Sequence, residues 1–303
     1  MTIYEDNINK KNFMLEDENC TSVQNYTYIA NNNSYYQNLY IPESFSKIVL
    51  THIISLYMNN NHYYNPPMYL AIEGTPGEGK TVQTIGTCVR HKINILYVSA
   101  SQLSGSHERD SIEIMNDIYQ SAIRLKRNNK IVAILIDDFH LGNAIDDDNI
   151  KRTINSSLLT GYLMNLADNN QIDKIPIILT GNDYSKIYAP LLRAGRADRF
   201  MWMPSFFEKK CIVENIFKDL VCYRQKDYDK FFNKYSYLSI AEFSQLKNEF
   251  RKKILFESIS NHAMINIKSI SDIQSEFDNK RYKINLKELE ALIPKNIKMK
   301  RRL

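Results

Sequence analysis

Eight residues, Gly74-Thr-Pro-Gly-Glu-Gly79-Lys80-Thr81, constrain this chain more than any other stretch. They match G-x-x-x-x-G-K-[ST] in full and stand between an apolar run, Met68 to Ile72, and a segment with helical periodicity. Glycines at 74, 77 and 79 let the main chain turn its N–H groups toward one point, where a Cβ would obstruct the approach. A helix that opens just after such a loop adds free N–H groups and the positive end of its dipole. In that setting Lys80 is suited to hold the β- and γ-phosphates of a nucleotide, and Thr81 to place its hydroxyl on Mg²⁺. Gly74, Thr75, Pro76, Gly77, Glu78, Gly79 and Val82 complete the expected cradle. A chance glycine-rich turn is the bland alternative, and the flanking strand and helix weigh against it.

Further apolar runs at Ile93–Val98, Ile131–Ile136 and Ile175–Leu179 are separated by segments long enough for helices, a spacing that predicts βαβ units and a parallel sheet. A short fifth strand is expected at Phe200–Met203. Helical stripes fall at Phe45, Ile48, Val49, Ile53, Leu56 and Tyr57, at Ile114, Ile118, Ala122 and Leu125, and at Ile150, Ile154, Leu158, Tyr162 and Leu166. After Pro204 strand signals stop, and Phe206, Ile212, Ile216, Leu246, Phe250 and Leu255 predict helices. Residues 1–40, rich in Asn, Tyr and Ser, hold neither period and read as a loosely ordered arm. The expected architecture is therefore an arm over 1–40, an α/β nucleotide-binding domain with a five-stranded parallel sheet over 41–204, and a smaller α-helical domain over 205–303. There is no repeat of solenoid length.

The 303 residues suffice for two cores. With 44% hydrophobic and 24% charged residues the chain reads as globular rather than disordered. Its net charge of +5 is the difference between 39 basic and 34 acidic residues, so no chain-wide nucleic-acid footprint follows. Only the end, Lys295–Leu303, is densely basic. Cys20, Cys88, Cys211 and Cys222 are scattered without zinc spacing and read as reduced thiols. No apolar run of about 18 residues could span a bilayer, and the polar start lacks a leader's apolar stretch. A cytoplasmic location without membrane partners is the expectation.

The run ending Ile136-Asp137-Asp138 delivers two carboxylates at the carboxyl end of a buried strand, the edge where parallel sheets bind ligands. It reads as a Walker B element: Asp137 for Mg²⁺, and Asp138, where Glu is commoner, to orient the attacking water. A solvated acidic turn is the alternative. The next strand ends in Thr180-Gly-Asn182-Asp183, an ordinary turn in isolation. Its place in the order gives Asn182 the position of a sensor 1 amide. Then come Leu191-Leu-Arg193-Ala-Gly-Arg196, whose arginines, taken alone, read as plain surface cations.

Together with Leu163-Met-Asn-Leu-Ala-Asp-Asn169 and the run Ile175 to Arg196, which contains Asn182-Asp-Tyr-Ser and Tyr188-Ala-Pro-Leu, these motifs resemble the AAA+ module of the Rubisco activase family over roughly residues 42–217. The first 40 residues show no match to it. The resemblance implies a P-loop AAA+ ATPase that takes ATP and Mg²⁺, assembles as a homo-oligomer in a hexameric ring, uses Arg193 and Arg196 across subunit boundaries, and remodels a protein substrate. It also implies pore-facing loops at Leu103–His107 and Gly142–Ile145, and a faint sensor 2 candidate at Lys247, for which a solvated helix lysine is the stronger reading. His107 and His140 read as surface or capping histidines. Two other classes stay open: a nucleic-acid motor or loader, on the basic tail, and a nucleotide-controlled assembly switch with little turnover, on Asp138 in place of Glu.

Overall fold

The computed structural model describes residues 26–58, 65–104, 110–139, 154–169, 172–185, 187, 189–218, 224–261 and 286–293. The chain divides into two compact units, Met1–Pro76 with Lys80–Met203, and Gly77–Gly79 with Pro204–Leu303.

In the first unit β1 (Thr27–Ile29), β2 (Tyr69–Glu73), β3 (Asn94–Ser99), β4 (Val132–Asp137), β5 (Ile177–Thr180) and β6 (Ala197–Met201) form one sheet in the order β1-β3-β4-β5-β2-β6. Five of these strands run parallel, as the apolar runs predict, and the fold is the expected α/β one. The first four lie within two residues of their predicted limits, while β6 begins three residues early. Strands β2 and β5 are buried at every position and β4 at every position but Asp137, as expected for strands covered on both faces.

The sixth strand corrects the sequence expectation. Residues 26–40 were expected to belong to a loosely ordered arm, yet they supply β1, antiparallel to β3 with Tyr28 opposite Leu96, and a single helical turn, α1 (Ser34–Gln37). The reason lies far away in sequence. The Asn94 side chain accepts from the Tyr28 hydroxyl at 2.9 Å and from the Asn31 N–H at 3.3 Å, and its amide donates to the Ile131 carbonyl at 3.0 Å. No local period reports such an anchor. Residues 1–25 lie outside the described residues.

Helices α2 (Glu43–Tyr57), α3 (Lys80–Arg90), α4 (Asp110–Arg127) and α5 (Ile154–Asp168) belong to the same unit. The predicted stripe of α2 buries Phe45, Val49, Ile53 and Leu56, while Ile48 is exposed. In α5 the buried stripe is Leu159, Leu163 and Ala167, one residue along from the predicted one. Ile150, the start of that prediction, lies outside the described residues. Each large aliphatic or aromatic side chain so buried contributes about 1.5–3 kcal/mol.

The second unit is helical: α6 (Phe206–Phe217), α7 (Gln225–Tyr235), α8 (Ile240–Asn261) and α9 (Leu286–Leu292). Its core is aromatic, with Phe217, Tyr228, Phe231, Phe232, Tyr235, Phe243 and Phe250 packed around Val213, Leu246 and Leu289. Helix α6 starts with a reciprocal cap, Ser205 to the Glu208 N–H and Glu208 back to the Ser205 N–H. No described helix is long and apolar enough to cross a membrane. Cys88 and Cys211 are free thiols, and burial pushes the Cys88 thiol up to about 12.

Candidate functional site

Strand β2 leads directly into the glycine loop. Gly74 adopts φ 153°, and a Cβ on it would lie 2.2 Å from the Trp202 carbonyl oxygen, so the loop needs glycine there. Trp202 follows β6 and donates its N–H to the Glu73 carbonyl at 2.7 Å. Gly77 and Gly79 both have φ 79°, in the left-handed region. Thr75 and Pro76 are exposed, and so is Val82, one residue after Thr81.

Lys80, the first residue of α3, is only 7% exposed. Its ammonium donates to the Gly74 carbonyl at 2.8 Å, the Thr75 carbonyl at 3.1 Å and the Asn182 side-chain oxygen at 2.9 Å. Residues 102 positions apart thus meet at the ends of neighbouring strands, because β2 and β5 are paired and the Gly181 N–H continues the ladder to the Ile72 carbonyl. A buried ammonium held by neutral carbonyls suits an incoming anion.

Asp137 ends β4 and accepts three hydroxyl donors. Thr81 donates to its Oδ1 at 2.6 Å and Thr180 to the same oxygen, while Tyr97 donates to Oδ2 at 3.0 Å. A threonine hydroxyl that gives its one proton to a carboxylate turns its lone pairs outward, which is what a hard cation needs. Burial and then the Asp137 charge push the Tyr97 phenol well above its ordinary value, so it stays a donor. The next residue, exposed Asp138, takes φ 53°, a left-handed conformation that Asp tolerates better than most side chains. Strain of this kind collects at functional sites.

Glu73, Arg199, Tyr97 and Thr180 carried no functional prediction. Glu73 is 9% exposed, pairs with Arg199 at 2.9 Å and accepts the Tyr184 N–H at 3.3 Å, so it ties β2, β6 and the segment after β5 together. Asp183 caps locally, accepting from the Ser185 N–H and hydroxyl at 2.8 and 2.9 Å.

Sequence treats Arg193 and Arg196 alike, whereas the structure separates them. The Arg196 side chain is 11% exposed and grips Asp168 with two guanidinium nitrogens, Nε at 2.8 Å from Oδ1 and Nη2 against Oδ2, while Nη1 donates to the Pro190 carbonyl. The Arg193 side chain is 60% exposed and reaches Asp168 only at 4.0 Å. Hydrogen bonds from Arg196, ahead of its charge and that of Arg193, hold the Asp168 carboxyl below its usual range.

In the second unit Gly77 accepts the Ala241 N–H at 2.9 Å, and Glu78 pairs with Lys209 at 2.8 Å with both side chains nearly buried. Lys247 donates to the Ile216 carbonyl at 2.7 Å, a helix-end role rather than that of a solvated side chain. Leu103 is 1% exposed in the core. Gly105–His107, His140, Gly142–Ile145 and Lys295–Leu303 lie outside the described residues.

Residues 70–205 match the family model described as ATPase family associated with various cellular activities (AAA). Residues 70–205 are an AAA+ module. The chain is similar to ribulose bisphosphate carboxylase/oxygenase activases: it is 31% identical to that of Nostoc sp. (strain PCC 7120) over 242 residues, 73% of this chain and 58% of the relative. It is also 31% identical to the activase of Anabaena sp. (strain CA) over 222 residues, 69% of this chain and 53% of the relative. The chloroplastic activase of Malus domestica is 28% identical over 210 residues, 65% of this chain and 47% of the relative. The match therefore spans about half the length of these curated relatives.

Proposed function

We propose that this AAA+ protein binds ATP with Mg²⁺ and hydrolyses it in sites shared between copies of the chain, using the cycle to remodel a protein or protein assembly. One observation carries the reading: Lys80, Asn182, Thr81 and Asp137 converge at the carboxyl ends of β2, β4 and β5, with glycine-only backbone beside them. This donor set fits a triphosphate and a hard cation. Lys80 and the loop amides of Gly74–Gly79 would hold the phosphates, with Val82 at the first helical turn, and Thr81 and Asp137 would hold Mg²⁺, directly and through its water shell. When bound, Mg²⁺ neutralises charge that gathers on the phosphate oxygens.

Asp138, exposed at the end of β4, orients a water toward the terminal phosphorus, and Asn182 fixes the other side of that water. Of the two arginines, Arg193 is the one presented outward and suits a neighbour's site, as its side-chain exposure supports. Arg196 holds the segment that carries it. We take the assembly to be a closed hexameric ring of identical subunits, as the family resemblance implies, and the activase relatives favour a protein as the object of the work.

The test is mixing. Asp138→Asn and Arg193→Ala proteins, each inactive alone, should regain part of the ATPase rate when co-assembled, because one copy supplies the carboxylate and its neighbour the guanidinium. No recovery in demonstrably mixed assemblies refutes sites shared between copies.

A further inference from the structure

We infer that Tyr97 is a positioning residue for Mg²⁺, acting through Asp137; the inference rests on the nucleotide reading above. A carboxylate oxygen has about two lone-pair sites. On Asp137, Oδ1 already takes two hydroxyl donors, Thr81 and Thr180, one from each neighbouring element. A water of the metal shell must therefore be held by Oδ2, whose single described donor is the Tyr97 hydroxyl at 3.0 Å. That bond fills one Oδ2 site and leaves the other directed at the cation position. Tyr97 thus fixes the torsion that aims the working oxygen.

The strand register shows that the contact is not a default of the fold. Ser99 is the β3 residue paired with Asp137, and Tyr97 is paired with Leu135. Ser99 turns its hydroxyl to Ser101 and Gln102, and its own N–H to the Gln102 side chain. The carboxylate is reached instead by a ring from two residues earlier, long enough to span the offset. An aromatic ring also positions its hydroxyl rigidly, with few torsions to order. Tyr97 also lines a cavity of about 770 Å³, together with Thr81, Val82 and Ile85. Tyr97→Phe keeps the ring in place and deletes only the donor.

Groups that orient a metal's ligands typically change metal affinity by about 10- to 100-fold when removed. The experiment titrates Mg²⁺ into full-length wild-type and Tyr97→Phe proteins holding a fluorescent ADP analogue, and measures affinity for the same analogue in EDTA. The expected result is a Mg²⁺ midpoint raised by about tenfold, with unchanged affinity in EDTA and an unchanged melting temperature of the nucleotide-free protein. An unchanged midpoint, or an EDTA affinity that falls in parallel, overturns the role of Tyr97 and leaves the nucleotide site standing. A wild-type protein that ignores the analogue at every Mg²⁺ concentration overturns the nucleotide reading and this assignment together.

Discussion

The strand ends around Lys80 and the segment around Arg193 are both rich in charge, but they treat it in opposite ways. At the strand ends Lys80 is engaged at close range by three oxygens and Asp137 by three hydroxyls. In the arginine segment one guanidinium is locked onto Asp168, and the other projects with 60% of its side chain exposed. The difference teaches where a chain completes its own chemistry and where it leaves a group to be used elsewhere. A preorganised centre loses little on meeting its ligand, whereas an exposed guanidinium three residues from an anchored one is placed without being consumed.

The sharpest way to break the first half of that comparison is Lys80→Ala. It removes the one described ammonium that joins the loop carbonyls to Asn182, and nucleotide binding should fall by at least about 100-fold, since charged hydrogen bonds each contribute about 1.5–3 kcal/mol. Isothermal titration with ATP and Mg²⁺ measures this; an affinity near wild type would show that the phosphates lie elsewhere. Next in size is Asp138→Asn. The amide tolerates the same left-handed backbone, so binding should persist while turnover drops by about 10²-fold or more, the usual scale for a group that handles a water proton. Steady hydrolysis by this variant would remove Asp138 from the reaction.

The same contrast explains what could be read from the residues beforehand. Lys80, Thr81, Asp137 and Asn182 were legible because a local motif, an apolar strand and the strand order each point to the same edge of the sheet. Tyr97 was not legible. It lies inside an apolar run, and only the register of β3 against β4 shows its ring reaching two residues beyond its own pair. Strand β1 was hidden for a related reason, since its anchors, Asn94 and Ile131, are more than 60 residues away from it in sequence. Arg193 and Arg196 stood out as residues but not as different ones. The partner that separates them, Asp168, lies in the earlier Leu163–Asn169 stretch, in a helix whose buried stripe was displaced by one position.

A stability comparison sharpens the second half. Arg196→Ala removes a two-pronged bond to Asp168 and a bond to the Pro190 carbonyl, so it should cost about 1.5–3 kcal/mol, a fall in melting temperature of roughly 3–12 °C for a unit of this size. Arg193→Ala breaks only a long, exposed pair and should cost under about 1 kcal/mol. Equal losses in thermal melts would mean that the two arginines are not divided between holding and reaching.

The smallest expected effect is a pH dependence of that difference. Asp168 has its carboxyl depressed in the folded state, first by the Arg196 hydrogen bonds and then by the charges of Arg196, Arg193 and Lys174, against desolvation that acts the other way. A depressed carboxyl binds fewer protons folded than unfolded, so its contribution is present above the ordinary value of 3.8 and is lost as pH falls through the lower folded value. The stability gap between wild type and Arg196→Ala should therefore be flat from neutral pH down to about pH 5 and narrow below about pH 4. Buried His52, whose imidazole is pushed down to about 4, makes both proteins less stable as pH falls below 6.5, and that shared slope cancels in the difference. Because Asp168 is nearly half exposed, water screens the pair and the narrowing should stay a fraction of the gap. Urea melts of both proteins from pH 7 to pH 3 measure it. A gap that widens toward low pH would show that Arg196 is held by something other than the Asp168 carboxylate.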